Sequence, residues 1–173
     1  MVINLGLLIN INRYLGGDDM KPGIIDVANY FVRKGIRDNI IMTPLKLQKM
    51  CYYTKALSLV RECDLLSEAE FRAWVHGPAN WELYRKYVGY YKDTCITTLS
   101  NEDSGDILDP FYLEIVNDIY NTFKNFSGEE LEKRTHSELP WKEARKGLLD
   151  YQNGDKIISE ITMKEFYSKV PIV

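Results

Sequence analysis

Histidine and cysteine are scarce in this chain: His76 and His136 are its two histidines, and Cys51, Cys63 and Cys95 its three cysteines. The odd cysteine count and the lack of a Cys-x-x-Cys pair argue against a disulfide framework and fit a reducing, cytoplasmic compartment. Adding the two histidines yields no spacing for four close ligands, so no metal site is expected. No phosphate loop, dinucleotide fingerprint, His-Glu-x-x-His or Gly-x-Ser-x-Gly motif occurs, so no cofactor is expected either. An excess of positive charge is also missing. Lys and Arg number 22 against 25 Asp and Glu, for a net charge of −3. That balance argues against nucleic acid as the main partner, because such binding draws on clustered cations that neutralise phosphate. No apolar run is long enough to span a bilayer, and no internal repeat or low-complexity tract is visible.

What is present suits one domain. The length of 173 residues, with 45% hydrophobic and 27% charged, matches a globular core of ordinary size. Residues 1–19 differ from the rest. They are apolar, but carry neither the positive leading region nor the small-residue cleavage site of a signal peptide. Codons for Gly16-Gly17-Asp18 can read as a ribosome-binding sequence ahead of Met20. Met20 is therefore the expected natural start, with 1–19 a translated leader and 20–173 the domain; a docking tail is the alternative.

Apolar spacing at Ile24, Val27, Ala28 and Phe31 predicts a first helix from Pro22 to a stop at Gly35, with Asp26, Asn29 and Arg33 as a polar stripe. Thr43-Pro44 caps a second helix whose apolar residues, from Leu45 to Val60, cover nearly its whole circumference. Such a helix is surrounded by others. Lys46, Lys49 and Lys55 on it read as a solvated face, with a local basic patch as the alternative. Residues Glu70 to His76 read as a short strand broken by Gly77-Pro78, and Ala79 to Tyr91 as a third helix. A polar loop from Lys92 to Leu108 follows, with Glu102, Asp103 and Asp106 solvated. Asp109-Pro110 restarts helix, with Tyr112, Ile115, Val116, Ile119, Phe123 and Phe126 on its apolar side. Capping boxes are expected at Ser127 and Thr162, a short helix from Glu138 to near Gly147 or Leu149, and a second strand at Lys156–Ser159. The expected fold is mainly α (α+β): a compact multi-helix domain around a central apolar helix, with a small short-stranded β element.

Little here suggests catalysis. Cys51 lies inside the apolar central helix, which raises a thiol's pKa and blocks access; Cys95 reads as a second small buried hydrophobe. Cys63 with His76 or His136 is a conceivable pair that nothing in the sequence brings together. His76 is read as fixing the strand-to-helix turn, and His136 as capping the helix after it. No catalytic residue is therefore assigned. The aromatic supply points to contact with another protein: twelve tyrosines and three tryptophans exceed what packing usually needs. Trp74 and Trp141 are placed in the core. The expected partner-binding residues are His76, Gly77, Pro78, Trp81, Tyr84, Tyr90 and Tyr91.

The order of motifs carries a resemblance. Leu45-Lys46-Leu47-Gln48-Lys49-Met50-Cys51-Tyr52-Tyr53 resembles the leading signature of the Panacea domain, found in SocA-like antitoxins and phage-associated GepA-like proteins. Phe71-Arg72-Ala73-Trp74-Val75-His76-Gly77-Pro78 is similar to that family's aromatic Gly-Pro segment, and His136 to Trp141 to its late Pro-Trp motif. The departure is Ala79-Asn80, where family members often carry an apolar pair. The resemblance implies a bacterial or prophage antitoxin that neutralises a cognate toxin by direct binding, with no catalytic residues. It implies that Leu45, Leu47, Gln48, Lys49, Tyr52, Tyr53, Trp74, Pro140 and Trp141 build the shared fold. The competing readings are an adaptor that hands its partner to a protease or chaperone, and a DNA-binding autoregulator. Homo-oligomerisation is left open.

Overall fold

A computed structural model describes residues 21–100, 107 and 109–173. The expectations for the leader 1–19, the start at Met20 and the solvated Glu102, Asp103 and Asp106 lie outside the described residues. Among the described residues, seven helices and one β-hairpin form a mainly helical fold. None of these helices is long and apolar enough to cross a membrane.

Helix α1 spans Ile24–Asp38. Its first turn is held by the Asp26 carboxylate, which accepts the Gly23 N–H at 2.8 Å. The helix runs past Gly35, where the sequence predicts a stop. Gly35 serves close packing instead, since a Cβ there would stand 2.7 Å from Met42 Cγ. The stop comes at Asn39, which adopts the left-handed φ of 55° that ends many helices. Asn29, expected on a polar stripe, is buried.

Helix α2, Pro44–Val60, is the axis of the molecule. Thr43 Oγ1 accepts the Lys46 N–H at 3.1 Å, and Pro44 fills the first turn, where a missing N–H costs nothing. Every residue from Leu45 to Ser58 is buried, as expected of a helix apolar on all sides. Large apolar side chains there contribute ~1.5–3 kcal/mol each on burial. Tyr53 stacks on Phe123 at 4.7 Å between ring centres, and Tyr52 meets Phe71 edge-on at 5.5 Å.

The lysines of α2 correct the sequence reading: they are inside. Lys46 Nζ donates to the Lys124 carbonyl at 2.7 Å, and Lys49 Nζ to the Pro78 carbonyl at 3.1 Å. Lys55 Nζ donates to the Leu66 and Ser67 carbonyls and pairs with Glu160 at 2.5 Å. A buried ammonium is costly unless its protons find acceptors, and each of these ties a connecting segment to the central helix.

The β element also differs from the expected single strand. Strand β1 is Arg72–Trp74 and strand β2 is Gly77–Ala79; they pair antiparallel, with Ala73 opposite Pro78, across the two-residue turn Val75-His76. Gly77-Pro78 is thus the returning strand rather than a breaker. The expected strand at Lys156–Ser159 appears as a bridge from Ile157 to Arg72, supported by the Ala73 N–H donating to the Lys156 carbonyl at 2.9 Å. Helix α3 is shorter than expected, Trp81–Lys86.

Four helices complete the bundle: α4 (Pro110–Phe123), α5 (Gly128–Ser137), α6 (Leu139–Ala144) and α7 (Glu160–Tyr167). Asp109 caps α4, and the Ser127–Glu130 capping box opens α5. The cap of α7 is Ser159, not Thr162, whose hydroxyl instead donates to Glu143 at 2.7 Å. Helices α1, α4, α5 and α7 pack around α2. Where α5, α6 and α7 converge on it, the buried Glu138 Oε2 accepts the Tyr53 and Tyr167 hydroxyls at 2.9 and 2.6 Å. Burial pushes both phenols well above their usual pKa.

Candidate functional site

The site is built by what α2 does to the hairpin. Gln48 lies alongside Asn80 like a piece of strand: its Oε1 accepts the Asn80 N–H at 2.8 Å, and its Nε2 donates to the Asn80 carbonyl at 3.0 Å. Lys49 holds the Pro78 carbonyl one step earlier. Pro78 has no N–H to leave unpaired, so it suits this outer strand. Gly77 is required here. Its φ is +91°, and a Cβ would meet Lys49 Cε at 2.8 Å, with Lys49 Nζ and Thr135 Oγ1 both at 2.9 Å.

The hairpin in turn fixes α3. Asn80 Oδ1 accepts the Leu83 N–H at 3.0 Å as the helix cap, while its Nδ2 donates to the Glu70 carbonyl at 2.9 Å. Trp81 and Tyr84, three residues apart, then project from one side of the helix. Their rings stack at 5.4 Å, and Trp74 from β1 sits edge-on to both, at 5.8 and 5.1 Å. Beyond the helix, Tyr90 meets the buried Tyr87 edge-on at 5.8 Å.

These aromatics enclose a groove of about 440 Å³ whose floor is Pro44, Leu45, Gln48 and Lys49 of α2. The Leu45 N–H donates to the Lys92 carbonyl at 3.0 Å and brings Lys92 to the rim. Arg145 donates to the Ala73 carbonyl at 3.0 Å and the Gln152 carbonyl at 2.7 Å, which draws Asn153 to the opposite side. Burial lowers the Lys49 pKa to about 7; Glu132 opposes that shift and Lys92 adds to it. His76, in the hairpin turn, pairs through Nδ1 with Glu132 Oε1 of α5 at 2.9 Å, which ties the turn to that helix.

Of the expected partner-binding residues, His76, Gly77, Trp81, Tyr84 and Tyr90 all line this groove. Pro78 is buried beneath it, and Tyr91, 88% exposed, stands outside. Trp81 is 54% exposed, Tyr84 41% and Tyr90 44%, high values for side chains of this size. Of the fold-building set, Leu47, Tyr52 and Tyr53 lie in the core, and Pro140 is buried. Leu45, Gln48, Lys49 and Trp74 line the groove as well. Trp74 is half-buried on the groove wall, packed edge-on against Trp81 and Tyr84, rather than in the core. Trp141 is half-buried against the core, and its Nε1 donates to the Trp74 carbonyl at 3.0 Å. Val75, Ala79, Leu83, Tyr87, Lys92 and Asn153 complete the lining; Lys92 and Asn153 come from distant segments that tertiary contacts deliver.

The remaining candidates lie elsewhere. Cys51 is buried, and its thiol is pushed far up by desolvation. Cys63 is half-buried, and Cys95 is exposed rather than buried as expected. His136 does not cap α6; its ring stacks on Trp141 at 3.9 Å, and burial lowers its pKa. Among the described residues, no three of His, Cys, Asp and Glu are grouped so as to hold a metal ion.

The family model of the antitoxin SocA-like, Panacea domain matches residues 47–142. That span opens on α2, takes in the hairpin, α3, α4 and α5, and closes within α6. No curated protein and no solved structure matches the chain.

Proposed function

Because the chain belongs to the SocA-like antitoxin family of Panacea domains, we propose that it neutralises a cognate toxin by binding it directly through the groove between the hairpin and α3. The carrying observation is the open stack of Trp81, Tyr84 and Trp74 beside Tyr90, held in place by buried polar contacts from α2. Exposed aromatics over a rigid concave floor are the usual anchors of a protein interface. Leu45, Gln48 and Lys49 of the floor belong to the leading motif, so the family signature shapes the groove, while Trp81, Tyr84, Tyr90 and Lys92 at its edges set which toxin fits.

Co-expression with the product of the adjacent gene tests this. The wild-type chain is expected to restore growth, with the toxin level unchanged on an immunoblot. Trp81→Ala and Tyr84→Ala, checked for solubility, are each expected to weaken rescue, since aromatic anchors cost ~2 kcal/mol or more, about 30-fold in affinity. Tyr151→Ala, a change at another exposed aromatic, should leave rescue intact. Full rescue by both groove variants would exclude this face. Loss of the toxin protein itself would favour delivery to a protease.

A further inference from the structure

The chemistry of the groove says what kind of segment it accepts, if the docking reading above holds. The chain as a whole is acidic, with 25 Asp and Glu against 22 Lys and Arg. The groove departs from that balance: its lining includes Lys49, His76 and Lys92 and no carboxylate. Lys92 and Lys49 are close enough to act on one another electrostatically. Apolar walls that keep water out focus that field rather than screen it. The nearest carboxylate of α5, Glu132, is already engaged by His76.

Carboxylates outnumber cations on the other side of Trp81, where Glu68, Glu70, Glu82 and Asp155 line a separate depression with Arg72, which pairs with Glu70 and Asp155. The indole therefore stands between a cationic groove and an acidic hollow. The outer edge of β2 is meanwhile occupied by Gln48 and Lys49 of α2. An added strand has no backbone to pair with there, so an incoming segment must be read through its side chains.

We propose that the groove takes a toxin segment of acidic–apolar character, whose large apolar side chains pack on Trp81 and Tyr84 and whose carboxylate points to the exposed Lys92 at the rim. A basic segment would meet like charge over an apolar floor, a costly arrangement that discriminates between partners.

The test is selection of a randomised 12-residue peptide library against the full chain, followed by sequencing of the retained pool. Asp or Glu is expected beside Trp, Phe or Leu in the retained peptides. The acidic preference should disappear against Lys92→Glu, a surface change that leaves the core untouched. In a fluorescence titration of the best peptide, replacing its acid by Gln should weaken binding about tenfold, and added salt should do so progressively. A retained pool that is neutral or rich in Lys and Arg overturns the inference, as does unchanged enrichment against Trp81→Ala. The two readings separate cleanly. If Trp81→Ala abolishes toxin rescue while the pool shows no acidic bias, the groove docks the toxin by other chemistry and only this inference falls. If Trp81→Ala and Tyr84→Ala both leave rescue intact, the docking reading falls.

Discussion

Lys49 is asked to do two things that conflict. Its ammonium must hold the Pro78 carbonyl, yet it sits 1% exposed beneath Gly77, where charge is poorly tolerated. The conflict appears as a pKa lowered from 10.5 to about 7, and Lys46 is lowered to about 8 for the same reason. A group whose pKa is lower in the folded chain binds fewer protons there than in the unfolded chain. Stability therefore rises with pH across the window between the two values, here from about 7 to 10.5. Towards pH ~10 the sign reverses, because burial raises Cys51 and then Tyr52, Tyr53, Tyr120 and Tyr167, and the unfolded chain loses those protons first. The urea midpoint is thus expected to climb from neutral pH towards a maximum near pH ~10 and then fall. One lysine can contribute a slope of at most about 1.4 kcal/mol per pH unit. Lys49→Met replaces the ammonium by an apolar chain of similar reach and should flatten the climb, while the loss of the donor to the Pro78 carbonyl, ~1–3 kcal/mol, offsets the relief from burying charge. A wild-type midpoint that stays level from pH 7 to 10 would show that Lys49 titrates normally.

At the level of elements, the groove wall depends on its neighbours for support. Helix α3 has six residues, too few to persist without tertiary support. That support converges on Asn80, which caps the helix, reaches the Glu70 carbonyl and is bracketed by Gln48. Asn80→Ala should therefore cost more than a lost cap, ~1–3 kcal/mol by chemical denaturation, because a second buried contact goes with it. It should also weaken toxin rescue without touching the groove directly, since Trp81 and Tyr84 ride on α3. The comparison is Ser127→Ala at the start of the ten-residue α5. That change should cost ~1 kcal/mol and leave rescue unchanged. Equal effects of the two on rescue would mean that general stability, not the placement of α3, governs binding. The departure at Ala79-Asn80 from the family's apolar pair thus bears on how α3 is started; Asn80 itself is buried and offers little to a partner.

For the molecule as a whole, the central helix was legible because Leu45 to Val60 leaves no face polar enough for water, and helices α2 and α4 announced their starts by Thr43-Pro44 and Asp109-Pro110. The hairpin was not legible, because its turn is Val75-His76 rather than a glycine pair and its return strand holds Pro78. Nor were the buried lysines, whose carbonyl partners at Leu66, Pro78 and Lys124 belong to distant segments that no local pattern reveals. Aromatic richness pointed to most of the groove's edge, but the joining of α2, β1, α3, Lys92 and Asn153 around one hollow is a product of packing. That division between a fixed floor and a lightly held wall has a measurable consequence. Helix α2 touches α1, α3, α4, α5, α7 and β2, so its amides can exchange only when the whole domain opens. Helix α3 packs on α1 and α2 through its buried side, while Trp81, Tyr84 and Tyr90 leave open aromatic faces on the other. By native-state hydrogen exchange, α2 amides should show the full unfolding free energy. The α3 amides should exchange at least about 100-fold faster through local opening, and slow selectively when the toxin is added. Equal protection of α2 and α3 in the free chain would mean that the wall is as rigid as the floor, and the choice of partner would then rest on the fixed shape of the groove.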